Sequence, residues 1–193
     1  ALGFSARTLH PRLIAPLGDR LNEMRLDVTD FFWHGVGRAL YFAPSNLLFL
    51  GQAAGRMVDK ARCEPRSRSE RLNALAGLAW AATLVNIRHP EIIQSLLPHL
   101  GRGEGEDDAF AGGVGSAAAV WRSCAQDDAY LIALLRHEPR AGQVAQRWNQ
   151  LINQPVCRVL GRASEFDNRR PRYRTEAEPA RTVETSQTSC RIA

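Results

Sequence analysis

The sequence predicts an all-α protein of stacked helical hairpins, an α-solenoid-like repeat with a period of about 40 residues, followed by a disordered C-terminal tail. Three observations lead there. Apolar residues recur at helical spacing along most of the chain. No run of about four to eight residues alternates apolar and polar side chains as a half-buried strand does. Finally, the phrase Phe32-x-x-x-Val36-Gly37-x-Ala39 returns as Phe110-x-x-x-Val114-Gly115-x-Ala117, 78 residues later. Ala76-Gly77-x-Ala79 lies between them, so Gly37, Gly77 and Gly115 are spaced by 40 and 38 residues. Glycine costs roughly 1 kcal/mol against alanine inside a helix. Three such placements predict that neighbouring helices cross closely at these positions.

The elements follow in chain order. Residues 1–27 read as an entry segment, 28–160 as the helical-hairpin domain and 161–193 as the tail. Phe32, Val36, Ala39, Leu40 and Ala43 form the stripe of a first helix, with Thr29 or Asp30 as its N-cap. Leu47, Leu50, Ala54, Met57 and Val58 form a second stripe. Leu72, Leu75, Ala76 and Ala79 form a third, and the opposite side (Leu78, Ala81, Ala82, Val85) is apolar as well, which predicts a buried central helix. After Pro90, favoured at a first helical position, come Ile92, Ile93, Leu96, Leu97 and Leu100. Gly101 to Asp108 is glycine and acid with nothing apolar, and reads as a loop. Helices are expected near Asp108–Cys124, Asp128–His137 and Ala141–Asn153. From Glu165 onward apolar periodicity fades, and the segment lacks the surface to offset its ordering entropy.

Composition narrows the function classes. The chain has 193 residues with 45% hydrophobic and 23% charged positions, enough for one core but not two comfortable domains. Its net charge of +5 comes almost wholly from arginine, since Lys60 is the only lysine; a GC-rich genome accounts for that bias without a function. No stretch approaches the roughly 18 apolar residues of a membrane span, and breakers at Gly3, Pro11 and Pro16 leave no signal-peptide core near the start. Cys63, Cys124, Cys157 and Cys190 form no C-x-x-C pair and read as reduced thiols of a cytoplasmic protein.

The phrase Trp33-x-x-Val36-Gly37-x-x-Leu40 looks like the opening of a tetratricopeptide helix, but that repeat returns every 34 or so residues rather than near 40. The element Gly35-Val36-Gly37-Arg38-Ala39-Leu40-Tyr41-Phe42 resembles a G-[LIV]-G-R-[AS]-L-[WY]-F element of an uncharacterised bacterial family associated with enediyne biosynthesis gene clusters. That resemblance runs over Phe31 to Leu135, through the Arg66–Arg71 turn and the Gly113–Ala117 helix. It implies a fold and a context of secondary-metabolite biosynthesis. It carries no catalytic residues with it.

Chemistry-bearing residues are sparse. Asp107-Asp108 and Asp127-Asp128 lack the D-D-x-x-D spacing of a metal or diphosphate site and sit where helix N-termini favour acids. His34, His89, His99 and His137 fall in no H-x-x-x-H or H-E-x-x-H pattern, and no nucleophile elbow or phosphate-binding glycine loop is present. Neither metal nor cofactor is expected. Trp33, Tyr41, Trp80, Trp121 and Trp148 fit core positions better than a groove. Within the distinctive element, Trp33, His34, Arg38 and Tyr41 are the candidate ligand-binding residues, with Arg38 placed to hold an anion. The leading expectation is a non-catalytic scaffold whose helical-repeat surface binds a protein partner. The alternative is an accessory protein or enzyme of secondary-metabolite biosynthesis that takes a small molecule near Gly35–Phe42. A third reading, nucleic-acid binding through Arg66–Arg71 and Arg169–Arg174, is the least favoured because both runs are short.

Overall fold

A computed structural model describes residues 2–24, 28–43, 53–139 and 142–161, all helical or connecting, with no strand among them. The helices are α1 (Leu2–Leu9), α2 (Ile14–Glu23), α3 (Thr29–Tyr41), α4 (Ala53–Cys63), α5 (Arg68–Val85), α6 (Pro90–Gln94), α7 (Glu106–Cys124), α8 (Ala129–Leu135), α9 (Gln143–Trp148) and α10 (Gln154–Gly161). Short 3-10 turns at Pro11–Leu13 and Leu97–His99 and a π turn at Asn149–Asn153 join some of them. The tail from residue 162 onward, with its expected disorder, lies outside the described residues, as do Leu47 and Leu50 of the second stripe.

The expected central helix is α5. It packs on α3 on one side and α7 on the other, and α1 packs on the far side of α3. Leu75, Leu78, Ala79, Ala81 and Ala82 of α5 are all fully buried. The main core gathers around them: Leu40, Val58, Ile93, Leu97, Phe110, Leu131, Leu134 and Trp148. A second, smaller cluster joins Ala6, Ile14, Phe32, Trp33 and Val36 where α1 and α2 meet α3.

Glycine sets the helix-to-helix approach. A Cβ added at Gly37 would lie 1.9 Å from the Ala74 carbonyl oxygen, and one at Gly77 would lie 2.0 Å from that of His34. The α3–α5 crossing is therefore glycine against backbone from both sides. In each case bare glycine backbone meets a backbone carbonyl of the neighbouring helix, with no room for a side chain. Gly3 stands in the same relation to Phe32, at 1.9 Å, and Gly113 to Ala76, at 2.2 Å.

This revises the glycine register. Gly115, matched to Gly37 in the sequence, faces Pro155 at an ordinary 3.5 Å, and the tight α7 crossing onto α5 belongs to Gly113. In α3, Gly35 meets α1 at Gly3 and Phe4, while Gly37 meets α5. In α7, Gly113 meets α5 and Gly115 meets α10. Two residues turn a helix by about 200°, so each Gly-Val-Gly element serves one neighbour before it and one after it. Gly77 faces back to α3, so its counterparts are Gly35 and Gly113, spaced by 42 and 36 residues.

Other expectations shift locally. Neither Thr29 nor Asp30 is the N-cap of α3: Val28 is, without a side-chain cap, and Asp30 accepts from the Ser69 hydroxyl at 2.9 Å. The acidic end of the Gly101–Asp108 loop is helical, because Glu106, Asp107 and Asp108 form the first turn of α7 behind Gly105, whose φ is +80°. Acids belong there against the free N–H groups. The helix expected after Pro90 stops at Gln94, and Pro98 sits in the 3-10 turn that follows. Cys63 and Cys124 are free thiols, whereas Cys157 is disulfide-bonded; separation along the chain did not report proximity in space.

Two buried carboxylates lock elements together. Glu70 closes a capping box with Ser67 at the start of α5 and accepts from Asn22 of α2 at 2.8 Å. Burial pushes its carboxyl up, but hydrogen bonds from the Asn22 amide and the backbone N–H groups of Ser67 and Arg66 hold it below the usual range. Glu106 is likewise penalised by burial, yet bidentate donation from Arg62, at 2.7 Å to each oxygen, keeps it ionised and ties α4 to α7.

Candidate functional site

The Gly35–Phe42 element forms most of α3, and its four candidate residues point to different places. Trp33 is buried against α2, its ring 3.1 Å from where a Cβ would sit on Gly18, and it stacks edge-on to Phe32 at 5.5 Å. Tyr41 turns toward α5, where its hydroxyl accepts from the Asn86 amide at 2.6 Å. His34 is half-buried with its carbonyl pressed on Gly77. Burial pulls its imidazole down to about 4, with the nearby Arg38 charge adding to the effect. It is neutral at physiological pH.

Arg38 is different. It lines a cleft of about 290 Å³ together with Phe4, Ser5, Gly35, Phe42 and Trp80. Its guanidinium carbon lies 3.7 Å from the centre of the Trp80 ring, a close cation–π contact. Its Nε is buried without a hydrogen-bond partner, and among the described residues Arg38 forms no ion pair. Burial draws the guanidinium below its ordinary range, with no carboxylate opposing the effect. The cleft thus holds one uncompensated positive charge between aromatic walls. Phe4 and Phe42 form one wall as an edge-on pair at 5.8 Å, and exposed Ser5 and Phe42 mark where it opens.

The sequence singled out Arg38, which lines this cleft, but not the company it keeps there: Phe4, Ser5, Phe42 and Trp80. One signal was available. Arg38 and Trp80 each stand three residues after a backward-facing glycine, Gly35 and Gly77, so they share a position once the glycines are aligned 42 residues apart. Phe4 and Ser5 had no such signal, because nothing in the entry segment shows that α1 docks on α3.

The remaining candidates serve other ends. Trp121 stacks on Tyr130 at 5.8 Å and Trp148 on His137 at 4.8 Å. Asp107 pairs with Arg147 at 2.6 Å, Asp128 pairs with Arg122 at 3.4 Å, and Asp127 accepts from the Ala129 amide. No group of three metal-ligating side chains occurs among the described residues. In the basic run, Arg66 pairs with Asp19 at 2.6 Å and Arg68 with Glu104 at 3.4 Å, so acids already face it. Arg169–Arg174 lies outside the described residues. No described helix is long and apolar enough to cross a membrane. No protein-family model, curated protein or solved structure matches the chain.

Proposed function

We propose that the chain is a non-catalytic binding protein that holds a small molecule in the cleft between α1, α3 and α5. The observation that carries this reading is Arg38, a partly buried cation resting on Trp80 with no hydrogen bond or ion pair among the described residues. Convergent aromatic surface around a single polar anchor is the usual make-up of a small-molecule site. The likeness of Gly35–Phe42 to a family associated with enediyne clusters supports a setting in secondary metabolism, since Gly35, Arg38 and Phe42 of that element all line the cleft. Stacking of α1, α3, α5 and α7 as a solenoid-like unit is part of the same reading, with the stack serving as frame for the cleft.

A second reading is a scaffold for a protein partner. It draws on Leu2, Leu9, Leu13, Met24, Val28 and Phe31, which expose apolar surface over α1, α2 and the start of α3. One experiment separates the two. The full chain is equilibrated with a small-molecule extract of its source cells and examined by native mass spectrometry beside Arg38→Gln. A small organic adduct on the wild type, absent from Arg38→Gln, is the expected result. An adduct-free wild-type chain would count against the cleft and leave the scaffold.

A further inference from the structure

We infer that the ligand of this cleft is an aromatic carboxylate: a flat ring held between Phe4, Phe42 and Trp80, with its carboxylate on the edge of the Arg38 guanidinium. This rests on the cleft being a binding site and goes further by naming what it takes.

The charge argument comes first. Taking a cation out of water without a partner is unfavourable, and proteins compensate with an anion or hydrogen bonds. Two other arginines whose side chains are only 12% exposed do have an acid: Arg62 has Glu106 at 2.7 Å. Arg7 similarly has Glu64 at 2.8 Å. Arg38 has none among the described residues, and the described residues lining its cleft include no acid. The missing group is an acceptor with negative charge, supplied from outside.

Geometry then narrows the anion. The guanidinium carbon lies 3.7 Å from the centre of the Trp80 ring, and a guanidinium directs its N–H donors outward in its own plane. A planar carboxylate meets such an edge with two parallel hydrogen bonds. A phosphate or diphosphate needs more: several cations, or a glycine-rich turn of backbone N–H groups. The lining offers one cation and the Ser5 hydroxyl. A single negative charge matches that supply.

The walls and the volume fix the rest. Phe4, Phe42 and Trp80 present ring faces and edges, which favour offset or edge-on packing with another ring. About 290 Å³ stands at the small end of ligand sites. It admits one or two fused rings.

The test uses the full chain labelled with nitrogen-15, following the Trp80 indole N–H resonance, assigned through Trp80→Phe. The probes are cinnamate, its neutral amide cinnamamide, and inorganic phosphate. Saturable shifts with cinnamate, at least about tenfold weaker with cinnamamide and with Arg38→Gln, and none with phosphate, are the expected results. Ser5→Leu, which fills the mouth and leaves Arg38 on Trp80, weakens cinnamate as well, and so serves if Arg38→Gln does not fold. Equal binding of cinnamate and cinnamamide, undiminished in Arg38→Gln, overturns the carboxylate assignment while the cleft stands as a site. No shift of Trp80 with either aromatic probe overturns both. Phosphate binding as tight as cinnamate overturns the ligand class.

Discussion

His34 shows how much of this protein's behaviour is set one side chain at a time. The folded chain holds its imidazole down at about 4, whereas the unfolded chain takes a proton near 6.5. The unfolded state therefore binds more protons between those values, and stability falls as pH drops through them. The contribution is complete above the unfolded value and lost toward the folded one. Replacing His34 with glutamine should shrink the difference in unfolding free energy between pH 7 and pH 5 by about 2 kcal/mol, measured by denaturant titration at both. An unchanged pH dependence in His34→Gln would show that His34 is solvated in the folded chain. At the same scale, Arg38 was legible as an anion-holding candidate because it is the one charged residue in an otherwise apolar, small-residue phrase. Its neutrality-breaking isolation was not, since sequence lists charges without saying which are paired.

Helices were mostly legible from their stripes: the bounds of α3, α5 and α7 fall within a few residues of those the apolar periodicity marks. The crossings were legible only in part. Composition singled out the glycines, but which face each one presents depends on the neighbouring helix, and Gly115 was therefore matched to the wrong partner role. The interface reading makes a contrast that can be measured. Gly37→Ala forces a methyl into the Ala74 carbonyl, 1.9 Å away, and should destabilise by about 3 kcal/mol or more. Gly112, in α7, has nothing within 4 Å of an added Cβ, so Gly112→Ala should be neutral or stabilise by up to about 1 kcal/mol. Similar unfolding midpoints for the two variants would refute the α3–α5 crossing.

Across the whole molecule, two apolar clusters of unequal size share α3 as their common element, the smaller one under α1 and α2 and the larger one around α5. Unequal burial implies unequal local stability. Native-state hydrogen exchange should find α1 and α2 amides opening at lower free energy than those of α5, and a ligand in the cleft should protect α1, because Phe4 and Ser5 form part of its wall. Uniform exchange across all three helices would contradict this. The apolar stripes marked the order of the main helices, but the cleft depends on α1 docking, which no periodic signal announces. The glycine crossings also bear on how the chain tolerates change in length. Side-chain contacts absorb a lost or gained residue by repacking, whereas a carbonyl resting on a bare Cα has nothing to repack. One residue inserted between Phe32 and Gly35 turns everything after it by about 100°, swinging Gly35 off α1 and Gly37 off α5 together. Insertions should therefore survive in stretches such as 101–105 and be absent from α3, α5 and the first half of α7.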